Sequence, residues 1–191
     1  MRNPARKRTE MQFNGKKGLI LGVANDHSIA WAIAKQIMDA GGECGFTHLP
    51  DRPDDERQRN RRRVSNLTDK YENAKFLLPM DAQDDEQIRT TFAKAGEEFG
   101  KIDFVLHSIA FADRNDLAGD TVDTSREGFK LAMDVSVYTL LACTAAAKPY
   151  MAPGGGDCNH DVLRRRKVCP RLQRDGYLQS GTGSRRTIPC L

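Results

Sequence analysis

The sequence predicts an α/β protein with a Rossmann-like, doubly wound parallel sheet. Short apolar runs alternate with longer segments of helical periodicity, which is the pattern of strands linked by crossover helices. The first run, Gly18 to Gly22, is continuously apolar, as expected for a strand covered on both faces. Periodicity stops at the Pro153-Gly154-Gly155-Gly156 segment. We therefore expect the sheet to be truncated after about four strands and to be followed by an irregular C-terminal tail.

The predicted elements follow in strict alternation after the first strand. Ser28 precedes an apolar helical pattern that the Gly41-Gly42 pair ends, so a helix is predicted over 28–40. The remaining elements are strand two at 43–49, a charged helix at 53–71, strand three at 74–80, a helix at 84–99, strand four at 102–110 and a long helix at 125–147. The long helix carries residues about every four positions that indicate one apolar stripe: Phe129, Met133, Val137, Leu140 and Thr144.

Length and composition are those of one domain with flanking segments. The chain has 191 residues, of which 39% are hydrophobic, which is enough for a single core. We expect residues 1–12 to be a disordered basic extension, or the product of a start codon assigned ahead of Met11. Residues 13–156 form the predicted dinucleotide-binding domain. Residues 157–191 form the tail, which is expected to be unstructured or out of frame.

Several classes of protein are disfavoured by the same composition. No apolar run approaches the roughly 18 residues of a membrane span, and no apolar stretch follows the basic start, so no membrane partner and a cytoplasmic location are expected. The five cysteines contain no CxxC pair, so neither a disulfide framework nor a metal site is predicted. The net charge of +4 includes the arginine-rich segment 57–63. Because no aromatic residues interleave it, a solvated helix face is favoured over the alternative, a nucleic-acid-binding surface.

The turn after strand one is a candidate phosphate site. In doubly wound sheets the ligand binds beyond the carboxyl ends of the strands where the strand order reverses, which places strands one and four beside it. Gly22 would let the backbone approach a pyrophosphate, and the helix amides near Ser28 and Ile29 would face it. The GxGxxG fingerprint is absent, so this turn alone does not distinguish a cofactor site from an ordinary strand-to-helix turn.

Two segments at the right separation resemble one known family. Gly22 is followed by five residues and then by Ser-Ile-Ala at 28–30. The end of strand four reads His-Ser-Ile-Ala-Phe-Ala at 107–112. Both segments, and the helix beginning Ser-Arg-Glu-Gly-Phe-Lys at 125–130, resemble the enoyl-acyl-carrier-protein reductases, which are divergent short-chain dehydrogenase/reductases. The resemblance covers roughly 13–156.

The resemblance implies a dinucleotide cofactor and its contacts. It assigns Gly22, Ser28 and Ile29 to the pyrophosphate and its surroundings, and Leu49 to the adenosine ribose. The other implied contacts are Asp81 and Ala82 at the adenine, Ile109 beside the nicotinamide, and Ala112 at the acyl substrate. A carboxylate such as Asp81, at a strand's carboxyl end, can accept a hydrogen bond from the adenine amino group.

Cofactor choice stays open between two dinucleotides. An acidic residue at the tip of strand two favours a free 2′-hydroxyl, whereas an arginine there favours a 2′-phosphate. Asp51 and Arg52 both follow Leu49. Because the family mostly uses NADH, NADH is expected, with NADPH as the alternative.

The implied reaction is reduction of a trans-2-enoyl-acyl-carrier-protein thioester by hydride from NADH, in fatty-acid biosynthesis. In the family a Tyr-x6-Lys pair after strand five stabilises the developing enolate and holds the nicotinamide ribose. Beyond Gly156 the tyrosine is Tyr177, no lysine follows it, and Lys167 is the tail's lysine. No catalytic residue is therefore assigned, and the chain as written is expected to be an inactive dinucleotide-binding fragment. His27 and His107 receive no role in proton transfer.

The tail is consistent with a shifted reading frame. Read one base later, codons for residues 157–167 can encode Thr-Ala-Ile-Met-Thr-Tyr-Tyr-Gly-Gly-Glu-Lys, and those for 172–181 can encode Tyr-Asn-Val-Met-Gly-Ile-Cys-Lys-Ala. The second peptide has the Tyr-x6-Lys spacing. We therefore expect a frameshift after Gly156. The family also implies an acyl-carrier-protein partner and a homotetramer built through the long helix, although a truncated sheet would expose the edge of strand four and weaken assembly.

Overall fold

The computed structural model describes residues 13–118 and 120–159 of the chain. The predicted extension 1–12 and residues 160–191 of the predicted tail lie outside the described residues. Within that part, strands and helices alternate as the sequence predicts.

Parallel strands and crossover helices succeed one another along the chain. The strands are β1 Lys17–Leu21, β2 Glu43–His48, β3 Ala74–Pro79, β4 Ile102–His107 and β5 Met151–Asn159. The helices between β1 and β4 are α1 Ile29–Asp39, α2 Arg59–Thr68 and α3 Asp85–Phe99. Between β4 and β5 come a 3₁₀ turn at Thr121–Asp123, then α4 Arg126–Met133, a π-helical turn at Asp134–Tyr138, and α5 Thr139–Ala147.

The strands form one sheet in the order β3-β2-β1-β4-β5, and every neighbouring pair is parallel. The strand order reverses between β1 and β4, because the chain builds outward to β3 and then returns to the other side of β1. This arrangement confirms the predicted doubly wound α/β class. It also places the carboxyl ends of β1 and β4 side by side, with Leu21 opposite His107.

The strand count differs from the expected four. β5 pairs with β4 from Met151 opposite Ile102 to Asn159 opposite His107, so it covers the edge that a four-stranded sheet would expose. The segment predicted as a terminating turn lies inside β5, and it is accommodated by a register shift between Ile102 and Phe104 and by a positive φ of 84° at Gly154. The sheet therefore continues past the predicted domain end at Gly156.

The core has two halves, one on each face of the sheet. Leu19 and Leu21 of β1 lie in a cluster with α3 and α5, whereas Ile20 lies in a cluster with α1 and α2. Consecutive side chains of a strand point to opposite faces, so this division shows that β1 is covered on both sides. All three side chains are fully buried, as their continuous apolar run predicts. Burial also raises the pKa of the Cys44 thiol on β2 to about 12, so this thiol packs as a neutral apolar group.

The long helical stretch buries a different stripe from the predicted one. The residues it buries are Gly128, Val135, Thr139, Cys143 and Ala147. The predicted stripe is largely outward: Phe129 is 59% exposed, Met133 43% and Val137 45%. Small side chains let the helix lie close to α3 and β4, and bulky residues on the other face are left on the surface. Spacing alone identified the period and missed the face.

The same stretch is an exception to the expectation about membrane spans. Arg126–Ala147 is long and apolar enough to cross a membrane by length and composition alone. Cys143 and Ala147 are nevertheless buried in the core cluster with Phe92 and Ala95 of α3. Only 17% of the apolar window is buried within the described residues, and one such helix is weak evidence for a membrane span.

Helix α2 begins later than predicted. The sequence predicts a helix from residue 53, whereas α2 starts at Arg59 because Gln58 adopts a left-handed φ of 46°. Before that point the Asp55 carboxylate accepts the backbone N–H groups of Arg57 and Arg59 and pairs with the Arg59 side chain at 2.9 Å. Local side-chain acceptors thus hold the preceding residues in turns.

A test of the fold concerns Gly22, which follows β1 with φ +95°. A Cβ there would overlap the backbone carbonyl of Ser108, which follows β4. We expect Gly22→Ala to destabilise the domain by the roughly 1–2 kcal/mol of a left-handed alanine plus an overpacking cost of roughly 1–3 kcal/mol. Urea unfolding followed by circular dichroism measures the change.

Gly15→Ala is the matched control, because Gly15 also has a positive φ of 72° but has open space at its Cβ position. It should show the backbone cost alone. Equal losses of stability in the two variants would show that the approach of β1 to β4 is not a tight contact.

Candidate cofactor site

A cavity of about 490 Å³ opens at the carboxyl ends of the strands, where β1 and β4 lie side by side. Residues from the ends of four strands, from α2 and from the long helix line it. They are Gly22, Val23, Ala24, Thr47, His48, Leu49, Asn60, Arg63, Met80, Asp81, Ala82, Gln83, Ser108, Ile109, Ala110, Phe111 and Val135. This is the position at which doubly wound sheets bind their ligands, and the volume falls within the range of small-molecule sites.

The floor of the cavity depends on the contact between the β1 and β4 ends. The Ser108 N–H donates to the Leu21 carbonyl at 3.1 Å, which extends the parallel pairing beyond β4. Gly22 then lies so close to the Ser108 carbonyl that no side chain fits between them. The sequence predicts that Gly22 lets a pyrophosphate approach the backbone. The structure gives a second reason for glycine at this position, because a side chain would collide with the Ser108 carbonyl and separate the ends of β1 and β4.

The loop from β1 to α1 is closed by Ser28. Its Oγ accepts the backbone N–H groups of Ala24 and Asn25, each at 3.0 Å. The hydroxyl therefore folds the loop and does not cap the helix, for which no side-chain cap is present among the described residues. Ser28 and Ile29 are outside the set of lining residues, and the Ile29 side chain is 55% exposed.

The first turn of α1 keeps its hydrogen-bond donors available. Among the described residues, the backbone N–H groups of Ile29, Ala30 and Trp31 donate no hydrogen bond. Helix N-terminal amides without acceptors carry partial positive charge and suit an anion. This end of α1 follows Gly22, Val23 and Ala24 of the cavity wall by a few residues.

The tip of β2 presents Leu49 to the cavity, with 60% of the residue exposed. Beside it His48 is buried, and its Nδ1 lies 2.9 Å from the Leu49 carbonyl oxygen. Asp51 is not a lining residue. Its carboxylate accepts the backbone N–H groups of Asn60 at 2.6 Å and Arg61 at 3.2 Å, which makes it the acceptor at the start of α2.

The tip of β3 supplies Asp81 and Ala82, and both line the cavity as expected. The Asp81 N–H donates to Gln87 Oε1 at 2.9 Å, and its Oδ1 accepts the Gln83 N–H at 3.0 Å. In the described part of the chain, Asp81 Oδ2 has no hydrogen-bond partner. One carboxylate oxygen is thus held in place by the backbone and the other remains an open acceptor.

The segment after β4 carries Ile109 into the cavity wall, whereas Ala112 is outside it. Phe111 lines the cavity, and its N–H donates to Ser136 Oγ at 3.2 Å. His107 is buried, with Nε2 2.9 Å from Thr139 Oγ1, and so is a packed residue that joins β4 to α5. His27 is solvated, with 90% of its side chain exposed.

Sequence reasoning missed the contribution of α2. Asn60 and Arg63 line the cavity, and both come from the arginine-rich segment for which the sequence favours a solvated helix face. Their spacing of one helical turn was the available signal, but it identifies the cavity side only once the packing of α2 is known.

No tyrosine or lysine is among the described residues that line the cavity. Tyr177 and Lys167 lie outside the described part of the chain. Across 13–118 and 120–159, no group of three or more His, Cys, Asp or Glu side chains is placed to hold a metal ion.

Comparison with known proteins identifies relatives of this arrangement. The family model described as enoyl-(acyl carrier protein) reductase matches residues 22–177, which runs past Gly156, where the expected resemblance ends. The NADH-type enoyl-acyl-carrier-protein reductase FabI of Nostoc sp. is 39% identical over 171 residues, which are 90% of this chain and 64% of that protein. The FabI of Bacillus cereus is 42% identical over 144 residues, or 75% of this chain and 54% of that protein.

Solved structures give the same result. The Anaplasma phagocytophilum enoyl reductase in complex with NAD has a TM-score of 0.68 and 38% identity, covering 76% of this chain and 53% of that one. The Bacillus cereus enoyl reductase with NADP+ and an indole naphthyridinone has a TM-score of 0.68 and 39% identity, covering 76% and 55%. The chain thus spans less than two thirds of the length of these relatives. With a family model matched over most of its length and a Rossmann-like sheet in common, the chain belongs to the enoyl-acyl-carrier-protein reductase family of NAD-dependent oxidoreductases.

Proposed function

We propose that this chain binds NADH in the cavity between the β1 and β4 ends, as the cofactor-binding part of a trans-2-enoyl-acyl-carrier-protein reductase of fatty-acid biosynthesis. One observation carries the proposal. The cavity lies where the strand order reverses, next to a helix N-terminus whose first three amides lack acceptors in the described part of the chain. A pyrophosphate supplies the anion that such a site favours.

The residues present fit the cofactor at its pyrophosphate end. Gly22 has no side chain between the cavity and the backbone at the end of β4. The Ser28 hydroxyl closes the loop just before the helix, which begins at Ile29. We assign these residues to the pyrophosphate and its surroundings. Leu49, exposed at the tip of β2, is assigned to the adenosine ribose.

The adenine and nicotinamide ends follow from the strands on either side. Asp81 keeps one carboxylate oxygen available, which suits acceptance of a hydrogen bond from the adenine amino group, and Ala82 leaves room beside it. Ile109 forms an apolar wall on the β4 side, to which we assign the nicotinamide. Ala112 follows this wall, and we assign it to backbone contact with the acyl thioester.

Bound NADH would supply the hydride for reduction of the enoyl β-carbon. The remaining requirement is a donor that stabilises the enolate oxygen, and the described lining residues contain no tyrosine or lysine. A reaction that passes through an enolate slows greatly when the hydrogen-bond donor to the enolate oxygen is removed. We therefore propose that the chain as written binds cofactor without efficient turnover, and that a frameshift after Gly156 separates it from the active form.

The first test compares binding with turnover. We expect titration of the full chain with NADH, followed by nicotinamide fluorescence, to saturate, because the described residues form the cavity and the α1 amides are available to the pyrophosphate. We expect no NADH oxidation on adding a trans-2-enoyl thioester, because the donor pair is missing.

The matched control for that test is the product of the same gene read one base later from residue 157. It carries Tyr-x6-Lys and should oxidise NADH. Turnover by the chain as written at a rate comparable to that control would overturn the assignment of inactivity. Failure of both proteins to bind NADH would overturn the cofactor site.

A second test addresses Asp81. We expect Asp81→Ala to weaken NADH binding roughly tenfold, about 1.4 kcal/mol, because a charged acceptor for the adenine amino group is lost. Isothermal titration calorimetry measures this change. Asp85→Ala removes a neighbouring carboxylate outside the cavity lining and should leave the affinity unchanged. If the two variants bind NADH equally well, the adenine does not lie at Asp81.

The outward stripe of the long helix supports assembly. Phe129, Met133, Val137 and Leu141 recur every four residues and are each 43–62% exposed, which is a contiguous apolar surface of the kind that marks protein contacts. We propose that this stripe forms part of the homotetramer that the family resemblance implies.

Sedimentation velocity tests the assembly. We expect the chain to sediment as an oligomer and Val137→Asp to shift it to a smaller species, because a charge would be buried at the contact. Gln36→Asp, at an exposed position on α1, serves as the control and should sediment like the parent chain. A monomeric parent chain would contradict the proposal.

A further inference from the structure

The π-helical turn at Asp134–Tyr138 interrupts the long helix where that helix reaches the cavity. We propose that the buried pair His107 and Thr139 holds this turn in its π-helical form. Both are positioning residues, because the turn carries Val135 into the cavity lining. The inference rests on the proposed cofactor site, since its effect is on the shape of the wall that the cofactor meets.

The hydrogen bonds of the turn involve the side chain of Thr139 as well as its backbone. In a regular α-helix the Thr139 N–H would bond to the Val135 carbonyl, four residues earlier. Here that N–H donates to the Asp134 carbonyl, five residues earlier. The Thr139 hydroxyl donates to the Val135 carbonyl instead, at 2.6 Å. The side chain thus makes the bond that the backbone of the same residue would make in an α-helix.

His107 joins this arrangement from the end of β4. Its Nε2 lies 2.9 Å from Thr139 Oγ1, and each of the two residues is 1% exposed. Because the hydroxyl hydrogen of Thr139 lies between two oxygens 2.6 Å apart, the hydroxyl accepts from His107, and Nε2 carries the ring hydrogen. Two successive hydrogen bonds therefore connect β4 to the Val135 carbonyl. Breaking them is costly, since buried polar groups that lose their partners have no water to replace them.

The form of the turn decides what the long helix presents to the cavity. Val135 is buried and lines the cavity. The next residue, Ser136, accepts the N–H of Phe111 at 3.2 Å, and Phe111 also lines the cavity. A π-helical turn holds one more residue than an α-helical turn, so its loss would rotate this part of the helix relative to α5. The bonds from His107 and Thr139 therefore maintain this wall.

Nitrogen-15 NMR of the full chain tests the hydrogen bonds without a cofactor or a variant. We expect the His107 imidazole to be the neutral tautomer with its hydrogen on Nε2. Thr139→Ser should retain this signal, because serine keeps the hydroxyl. A neutral tautomer with the hydrogen on Nδ1 in the parent chain would overturn the inference and leave the proposed function standing.

NADH titration followed by nicotinamide fluorescence tests the positioning role. Thr139→Val keeps the shape of the side chain and removes the hydroxyl, so we expect NADH binding to weaken roughly fivefold, the equivalent of one hydrogen bond. Thr139→Ser should bind NADH like the parent chain, which separates the role of the hydroxyl from that of the methyl group. Circular dichroism checks that each variant is folded.

Thr144→Val is the matched control. The Thr144 hydroxyl donates to the Leu140 carbonyl at 2.7 Å, later in the same helix, and Thr144 lies outside the cavity lining. This variant should leave NADH affinity and the His107 tautomer unchanged. An equal loss of affinity in Thr144→Val, or no loss in Thr139→Val, would overturn the inference alone. A parent chain that binds no NADH would overturn the proposed function as well.

Discussion

The close approach of the β1 and β4 carboxyl ends is the constraint on which the site depends. Gly22 lies against the Ser108 carbonyl, and the Ser108 N–H bonds to the Leu21 carbonyl, so the two strands remain joined beyond their regular pairing. The reversal of strand order occurs at this junction. A cavity forms there because the crossovers from the two strands run to opposite sides and neither covers the junction itself. A side chain at Gly22 would separate the strands and remove the floor of that cavity.

The loops that lead into α1 and α2 decide which helix amides beside this junction are free to bind a ligand. Ser28 uses its hydroxyl to close the β1–α1 loop, which leaves the first amides of α1 available to an anion. Asp51 does the reverse at α2, where its carboxylate supplies the acceptor for the first turn. One helix start is therefore left open and the other is satisfied by the protein itself. The difference leaves the amides of α1 available to an anion, whereas α2 contributes the side chains of Asn60 and Arg63 to the cavity lining.

The last two elements of the described chain, the long helix and β5, complete the domain on the side of β4. β5 contains three consecutive glycines at 154–156, yet it pairs with β4 and covers its edge. Parallel pairing requires backbone donors and acceptors and makes few demands on side chains at an edge strand. The long helix before it buries small residues and leaves its large apolar ones outside, so its inner face serves the core and its outer face is suited to a second protein surface.

The sequence by itself determined the class of fold and most of the site's members. Continuous apolar runs, helical periods and the Gly22 and 107–112 segments were sufficient for the doubly wound sheet and the family. The predicted residues that line the cavity are Gly22, Leu49, Asp81, Ala82 and Ile109, because strand ends in this topology converge by necessity. Only the tertiary structure decided that Arg63 lines the cavity and that the Asp51 carboxylate bonds to the start of α2. Which of two charged residues faces a cavity depends on the rotation of α2 and on which backbone amides need an acceptor, and a linear pattern carries neither. The buried face of the long helix and the fifth strand also depend on neighbouring elements. The helix buries the face that packs against α3, and β5 forms because the edge of β4 is open to pairing.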